Sequence, residues 1–222
     1  MTDQWQVGTG MRADPHVTLG YPGDRVPTGP VVVGPDARLR SGTVVYLGTR
    51  IGARFQSGHH VVVREQCDIG DDVSVWSNTV IDYGCRIGNS VKIHSNCYVA
   101  QYTEIGAGAF LAPGVTVAND LYPGDDDSRE HMSGPFIGAG AQVGVNVTLL
   151  PFVRLGEGCL VGAGAVVSRD VPAGMVAFGN PAVVRGRVAD LTGVGTRVEA
   201  VESASRFRLA TRGRDPSAPS GT

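Results

Sequence analysis

Glycines recur every eighteen residues along this chain, each directly after an isoleucine or valine: Gly34, Gly52, Gly70, Gly88 and Gly106. A step of six residues from Val33 to Val117 meets a branched aliphatic side chain everywhere except Ser57. The step resumes two residues out of phase between Ile137 and Val167. A hexapeptide period predicts a parallel β-helix, in which three hexads make one triangular rung.

A second set of positions, also spaced six residues apart, supports this interpretation. Four residues after each aliphatic stands a small or medium side chain, such as Ala37, Thr43 and Cys67, so two residues in every six are expected to point inward. We expect the glycine after the aliphatic to supply a corner dihedral that a Cβ would hinder. No stretch from 33 to 117 sustains the three-and-four spacing of an amphipathic helix.

Composition narrows the function classes. With 222 residues and a formal net charge of −2, the chain reads as one domain with a modest tail, and nucleic acid is not expected as its partner. It has neither a long apolar run nor the layout of a signal peptide, so no membrane association and a cytoplasmic location are predicted. All four cysteines (Cys67, Cys85, Cys97 and Cys159) fall in the inward column, which predicts burial rather than disulfide or metal binding.

Three regions break the rhythm and define the predicted organisation. Residues 1–32, rich in glycine and proline, are expected to form an irregular N-terminal arm. Residues 33–187 form the β-helix domain of about seven rungs, interrupted by a polar loop at 118–136. Residues 188–222 are a C-terminal extension that is too poor in apolar residues to pack fully, so partial disorder is expected.

The stretch IGAGAQVGVNVTLLPFVRLGEGCLVGAGAVVSRDVPAGMVAFGNPAVV resembles the C-terminal half of hexapeptide-repeat acyltransferases. These proteins have a left-handed parallel β-helix and take an acyl group from coenzyme A. GHHVVVREQCDIG, SVKIHSNCYVAQYTEIG and the loop opening AND-x-YP are similar to nucleotide-sugar N-acetyltransferases that act on amino-deoxy sugars. The resemblance covers residues 33–187 and implies the left-handed winding.

The same resemblance implies a homotrimer with active sites between neighbouring subunits and acetyl-coenzyme A as co-substrate, with no metal. Val145 and Ala163 match small residues that contact pantetheine, and Ser168 and Arg169 match a pair near the adenine and phosphate end. Val183 stands where the family often places an arginine, so Arg185 is the candidate for the 3′-phosphate, with Arg187 as an alternative.

For the chemistry, Asn119 and Asp120 match an Asn-Asp pair of the N-acetyltransferases. Galactoside-type O-acetyltransferases instead carry a histidine directly before a proline in this loop, where this chain has Tyr122. A neutral sugar amine is already a good nucleophile, so positioning can suffice, whereas a hydroxyl needs a base. The candidate bases are His94 and His131, and the candidates to line the sugar cleft are His60, Asn78, Asn96 and Tyr122.

Alternatives remain open at this stage. Asn119 and Asp120 commonly serve turn chemistry, and the His60 column can be a hydrated ladder. A histidine-dependent O-acyltransferase acting on a sugar or natural-product hydroxyl is the second function. A zinc lyase with ligands His60 and His94 would need a histidine at Val99. A scaffold without catalytic activity would bind no coenzyme A.

Overall fold

The computed structural model describes residues 4–23 and 29–191. Its strands are short because each side of a rung is built from one hexad. The strands of the first six rungs are β1 (Trp5–Val7), β2 (Arg12–Ala13), β3 (Thr18–Tyr21), β4 (Val31–Val33), β5 (Arg38–Leu39), β6 (Val44–Tyr46), β7 (Arg50–Ile51), β8 (Gln56–Ser57), β9 (Val62–Val63), β10 (Asp68–Ile69), β11 (Ser74–Val75), β12 (Val80–Ile81), β13 (Arg86–Ile87), β14 (Lys92–Ile93), β15 (Tyr98–Val99), β16 (Glu104–Ile105), β17 (Phe110–Leu111) and β18 (Thr116–Val117).

The second part begins after the loop, which contains the 3₁₀ helix η1 (Asp127–Glu130). It comprises β19 (Phe136–Ile137), β20 (Gln142–Val143), β21 (Thr148–Leu149), β22 (Arg154–Leu155), β23 (Leu160–Val161), β24 (Val166–Val167), β25 (Met175–Phe178), β26 (Val183–Arg187) and the 3₁₀ helix η2 (Val188–Asp190).

Every third strand joins the same sheet. Sheet 1 runs from β1 to β22, sheet 2 from β2 through β23 to β25 and β26, and sheet 3 from β3 to β24. Most neighbouring strands pair in parallel with an offset of eighteen residues, as in Asp68 opposite Arg86, and among the described strands β26 alone pairs in an antiparallel direction. The described residues therefore form the expected left-handed parallel β-helix, with eight complete rungs where about seven were predicted.

The interior of the prism is filled by the two inward columns. Side chains such as Ile69, Ile81 and Phe55 are buried, and all four cysteines are free and buried as predicted. Ser57, the exception to the aliphatic column, is also buried. Its hydroxyl lies 2.8 Å from Thr43 Oγ1 and accepts the backbone N–H of Arg40 at 3.0 Å, so the buried polar group is satisfied.

The glycines that recur every eighteen residues have a different role from the one predicted. The left-handed backbone occurs two residues later, at positions such as Asp36 and Arg54 with φ of 59° and 57°. Gly34 itself has no left-handed φ, but a Cβ there would lie 2.6 Å from the backbone nitrogen of Ala53 in the next rung. The corner needs glycine because the stacked backbones come too close for a side chain.

The N-terminal region is also different from the prediction of an irregular arm over residues 1–32. Strands β1 to β3 form a complete first rung, with Trp5 opposite Val31 and Arg12 opposite Arg38. Met11, Val17 and Leu19 pack against the core. The six-residue repeat of this rung was not recognised in the sequence because the residues between β3 and β4 shift its phase. Residues 24–28 of that connection lie outside the described part of the chain.

Two of the three corners concern the site. Edge 2–3 is the corner between sheets 2 and 3, formed by turns such as 94–97, and edge 3–1 is the corner between sheets 3 and 1, formed by turns such as 100–103. The segment between β18 and β19 replaces one turn of edge 3–1. The chain divides into units Met1–Val188 and Ala189–Thr222, and the predicted C-terminal extension lies outside the described residues beyond Leu191. No helix within the described ranges is long and apolar enough to cross a membrane.

Candidate functional site

The candidate residues from the sequence fall on the two edges that border sheet 3. Edge 2–3 carries His60, Asn78, His94, Asn96, Val145 and Ala163, with Arg185 beside its upper end. Edge 3–1 carries Asn119, Asp120, Tyr122, His131, Ser168 and Arg169. A single subunit thus brings each set together but keeps the two sets on opposite sides of one sheet.

His94 follows β14 on edge 2–3 and is half-buried. Its imidazole stacks on the indole of Trp76 one rung below, with ring centroids 4.3 Å apart and planes inclined by 2°. The ring of Phe110 lies 5.3 Å away, and the His94 backbone N–H donates to the Leu111 carbonyl at 2.9 Å. Two aromatic rings and the backbone ladder therefore hold this imidazole in one orientation. Sequence reasoning missed Trp76, although it stands eighteen residues before His94.

The column above His94 lacks bulky side chains for three rungs. Ala112, Gly144 and Gly162 follow it in register, each bonded through its backbone N–H to the next rung. Beside this column, Val145 is 44% exposed and Ala163 is exposed. We call the surface formed by these five residues the small-residue strip.

The upper end of the strip is closed by an aromatic ring and a cation. Phe178 in β25 lies in register with Gly162, where a Cβ on the glycine would come within 2.8 Å of the Phe178 Cβ. The guanidinium carbon of Arg185 lies 5.8 Å from the centroid of the Phe178 ring. Of the two candidate arginines, Arg185 is therefore placed beside the end of the small-residue strip.

His60, Asn78 and Asn96 form a column at the left-handed position of edge 2–3, with φ of 55°, 60° and 60°. Asparagine is the non-glycine residue that tolerates this conformation best, together with aspartate and histidine. The same corner position is occupied by Gly42 and Gly114 in other rungs. Backbone conformation is thus a sufficient reason for these residue types.

The loop at residues 118–135 is organised around Asp120. One carboxylate oxygen accepts the Tyr122 backbone N–H at 2.8 Å, and the other accepts the Ser128 hydroxyl at 2.9 Å. Asn119 donates its side-chain amide to Gln101 Oε1 at 3.4 Å, and its carbonyl accepts the Ser133 N–H at 3.0 Å. Both residues therefore support the loop, as the turn-chemistry alternative expects.

The loop also encloses a small apolar cavity of about 230 Å³. Its lining brings together Asp120, Tyr122 and His131, with Leu121 and Phe152 supplying apolar surface. The Tyr122 side chain is 70% exposed and His131 is exposed at the end of η1. Ser168 and Arg169, both exposed, lie on the same edge after β24, two rungs above the loop.

A charged cluster that sequence reasoning missed lies below the loop on edge 3–1. Arg64 makes a bidentate ion pair with the buried Glu65, with N···O distances of 2.7 and 3.0 Å. Asp82, also buried, accepts the Tyr98 hydroxyl at 2.7 Å. Burial and this carboxylate raise the pKa of Tyr98, which keeps the phenol protonated as a donor.

The outer face of sheet 3 differs in character from the other two faces. Its outward residues are Thr18, Val44, Val62, Val80, Tyr98, Thr116, Thr148 and Val166, none of them charged. Sheet 1 instead presents Arg50, Asp68, Arg86, Glu104 and Arg154. Within the strands described, the uncharged face is thus the one that separates the two candidate edges.

The described part of the chain offers the zinc alternative no group of ligands. Among residues 4–23 and 29–191, no three histidine, cysteine or acidic side chains lie close enough together to hold a metal ion. His60 and His94 are on the same edge but in different corner positions.

The repeat and the fold agree with the family comparison. The model of the bacterial transferase hexapeptide family (six repeats) matches residues 84–119 and 134–169. The described residues have the architecture of a hexapeptide-repeat β-helix. The hexapeptide repeat recognised in the sequence is thereby confirmed for these two segments.

Two curated proteins are similar to this chain over most of its length. Over 203 residues, 91% of this chain, it is 29% identical to the bifunctional protein GlmU of Paramagnetospirillum magneticum, and the match spans 40% of that protein. It is 28% identical over 165 residues to the galactoside O-acetyltransferase of Escherichia coli K12, covering 70% of this chain and 81% of the relative. The chain spans about two fifths of the length of the GlmU relatives it matches.

The solved structure of the UDP-N-acetylglucosamine acyltransferase of Arabidopsis has a similar fold. The TM-score is 0.68 at 18% sequence identity, and the match covers 97% of this chain and 76% of that one. At this identity the likeness concerns the fold.

Proposed function

We propose that this protein is an acetyl-coenzyme-A-dependent N-acetyltransferase that acts on the amine of a nucleotide-linked amino-deoxy sugar, with each active site shared by two subunits of a homotrimer. The observation that carries the proposal is the small-residue strip, which leads along edge 2–3 to His94. The proposal also takes account of the names of two similar proteins, a galactoside O-acetyltransferase and a UDP-N-acetylglucosamine acyltransferase.

The strip suits a thin, flexible donor. Rungs repeat at about 4.8 Å along the prism, so Ala112, Gly144 and Gly162 leave a channel floor of three rungs without bulky side chains. Pantetheine can lie along this floor against Val145 and Ala163. We expect Arg185, at the upper end, to contact the phosphates of coenzyme A, so that the thioester lies at the lower end near His94.

The uncharged face of sheet 3 supports the trimer. Burial of β-branched side chains such as Val62 and Val80 against other copies would remove apolar area from water. If three prisms turn this face toward one threefold axis, edge 2–3 of each subunit meets edge 3–1 of the next. That arrangement joins the two sets of candidate residues that one subunit keeps apart, and it places Ser168 and Arg169 of a neighbour near the donor.

The reaction is then an acyl transfer at the junction of the edges. The neutral amine nitrogen attacks the thioester carbonyl carbon, a C–N bond forms, the C–S bond breaks, and the coenzyme A thiolate takes up the proton lost by the amine. Asp120 and Asn119 of the loop accept and donate hydrogen bonds that orient the amine, and His94 contributes positioning from the other subunit. Orientation of a nucleophile that needs little activation is sufficient for a large rate enhancement.

The second candidate function is O-acetylation with a histidine base. The observation that favours it is the loop cavity, which His131 and Asp120 line together. The residue before Pro123 is Tyr122 rather than histidine, which favours the amine as acceptor.

The test is release of free thiol from acetyl-coenzyme A with nucleotide-linked 3-amino and 4-amino deoxysugars, each beside its hydroxyl counterpart. Turnover with an amino sugar alone supports the proposal. Turnover with hydroxyl acceptors alone transfers the assignment to O-acetylation, and absence of coenzyme A binding rejects both.

A further inference from the structure

The indole of Trp76 has two faces, and only one of them is covered by His94. Against the other face opens a cavity of about 220 Å³. It is lined by Arg40, Gln56, Ser57, Gly58, His59, Ser74, Val75 and Trp76. Trp76 remains 37% exposed although His94 covers one of its faces.

The cavity exists because one side chain is missing from the edge 2–3 column. Gly58 stands one rung below Trp76, and its backbone N–H donates to the Val75 carbonyl at 2.7 Å. The next member of the column, another rung lower, is Arg40. Two rungs span about 9.6 Å, so the gap between the indole and the arginine has room for a planar ring.

We propose that this gap is a slot for the nucleobase of the acceptor, an inference that rests on the proposed function. A nucleobase inserted here stacks on the free face of Trp76, an interaction that tolerates any base because each has a π face. The Arg40 guanidinium lies on the opposite side of the slot, where a planar cation stacks well on a ring.

The lining also supplies polar contacts in suitable places. The Gln56 side chain, on the outer face of sheet 2, has both a donor and an acceptor for the edge of a base. Arg40 and His59 stand beside the exit for a diphosphate. The Arg40 guanidinium lies 3.5 Å from the Asp14 carboxylate, and His59 Nδ1 lies 2.8 Å from the Ser41 hydroxyl. The cavity thus combines an aromatic face with cationic and amide groups.

The slot also lies on the side of His94 opposite the small-residue strip. A donor that occupies the strip and a nucleotide that occupies the slot approach His94 from opposite directions along one edge. The sugar of the nucleotide then lies between its base and the thioester. This order separates the nucleobase of the acceptor from the adenine of coenzyme A.

The protein contains only two tryptophans, which makes the test direct. In a Trp5→Phe protein the fluorescence comes from Trp76 alone, and UDP and dTDP serve as probes. We expect saturable quenching of Trp76 by either nucleotide. Trp76→Leu, followed by equilibrium dialysis of labelled UDP, should weaken binding about tenfold, and Trp76→Phe less, because the ring face is retained.

Arg40→Met should also weaken binding of both probes, whereas the matched control Arg86→Met, on sheet 1, should leave it unchanged. Coenzyme A should bind without quenching Trp76 and without displacing UDP. Equal UDP affinity in wild type and Trp76→Leu would overturn the proposal, as would displacement of UDP by coenzyme A through the same tryptophan.

Failure of the slot and failure of the proposed function give different results. If acetyl transfer to a nucleotide-linked amino sugar occurs but Trp76→Leu leaves the KM for that acceptor unchanged, the slot is wrong and the enzyme assignment stands. If UDP quenches Trp76 but no acceptor is acetylated, the slot stands and the reaction is wrong.

Discussion

The rings of Trp76 and His94 are nearly parallel, with centroids 4.3 Å apart and planes inclined by 2°. This stack holds the plane of the imidazole perpendicular to the direction in which the rungs are stacked, so the edge of the ring is directed away from the prism. It also explains why His94 is half-buried yet accessible from the cleft that the proposed trimer forms. In the proposed mechanism, this fixed orientation suits a positioning role for His94.

Replacement of His94 separates the two reactions. We expect His94→Asn to lower kcat for an amino-sugar acceptor by less than about tenfold, because a neutral amine needs little help from a base. Loss of a true general base for a hydroxyl acceptor costs about 10²- to 10⁴-fold. Initial rates at several pH values measure the difference, and a loss above a hundredfold with the amine acceptor would show that His94 acts as a base.

Asp120 requires a control because its carboxylate also folds the loop. Asp120→Ala should lower amino-sugar turnover at least about a hundredfold through loss of the group that orients the amine. Ser128→Ala removes the 2.9 Å hydrogen bond to the same carboxylate but leaves the charge of Asp120 in place. This variant should retain activity within about threefold. Equal losses in the two variants would show that Asp120 acts only through the fold of the loop.

The buried thiols should be inert in the native protein. Burial raises the pKa of Cys159 to about 11, and hydrogen bonding with Cys85 together with burial raises the pKa of Cys67. A raised pKa means less thiolate at pH 8, so reaction with Ellman's reagent should be more than about a hundredfold slower than for a free thiol. All four thiols should react after unfolding in guanidinium chloride. Rapid reaction of the native protein would contradict the burial.

A charge on the outer face of sheet 3 should prevent assembly. Val80, in register between Val62 and Tyr98, lies near the middle of that face. Val80→Lys should convert the proposed trimer into monomers, since a lysine would be desolvated without a partner, and acetyl transfer should fall with it. Light scattering after size-exclusion chromatography measures the mass. Gln142→Lys, on sheet 2, should remain trimeric, and a trimeric Val80→Lys would exclude this face from the interface.

The sequence predicted most of the fold because the hexad places side chains without reference to distant contacts. It missed the first rung, although Val7, Ala13 and Leu19 keep the six-residue step, because the residues after Tyr21 change the phase. It misassigned the eighteen-residue glycines because the distance between stacked rungs cannot be read from one rung. The site was harder still. The Trp76 stack depends on ring orientation, and the division between two edges depends on which corner the loop replaces.

The central claim is that one site is built from edge 2–3 of one subunit and edge 3–1 of the next. Ala163→Trp should block the small-residue strip, and Asp120→Ala should impair the loop, so each homotrimer should be inactive. Co-expressed with different tags and purified as mixed trimers, the two variants should recover about one third of the wild-type rate, because one junction in three joins two intact edges. Mixed trimers without activity, from variants that are each folded and trimeric, would contradict the shared site and place the chemistry within a single subunit.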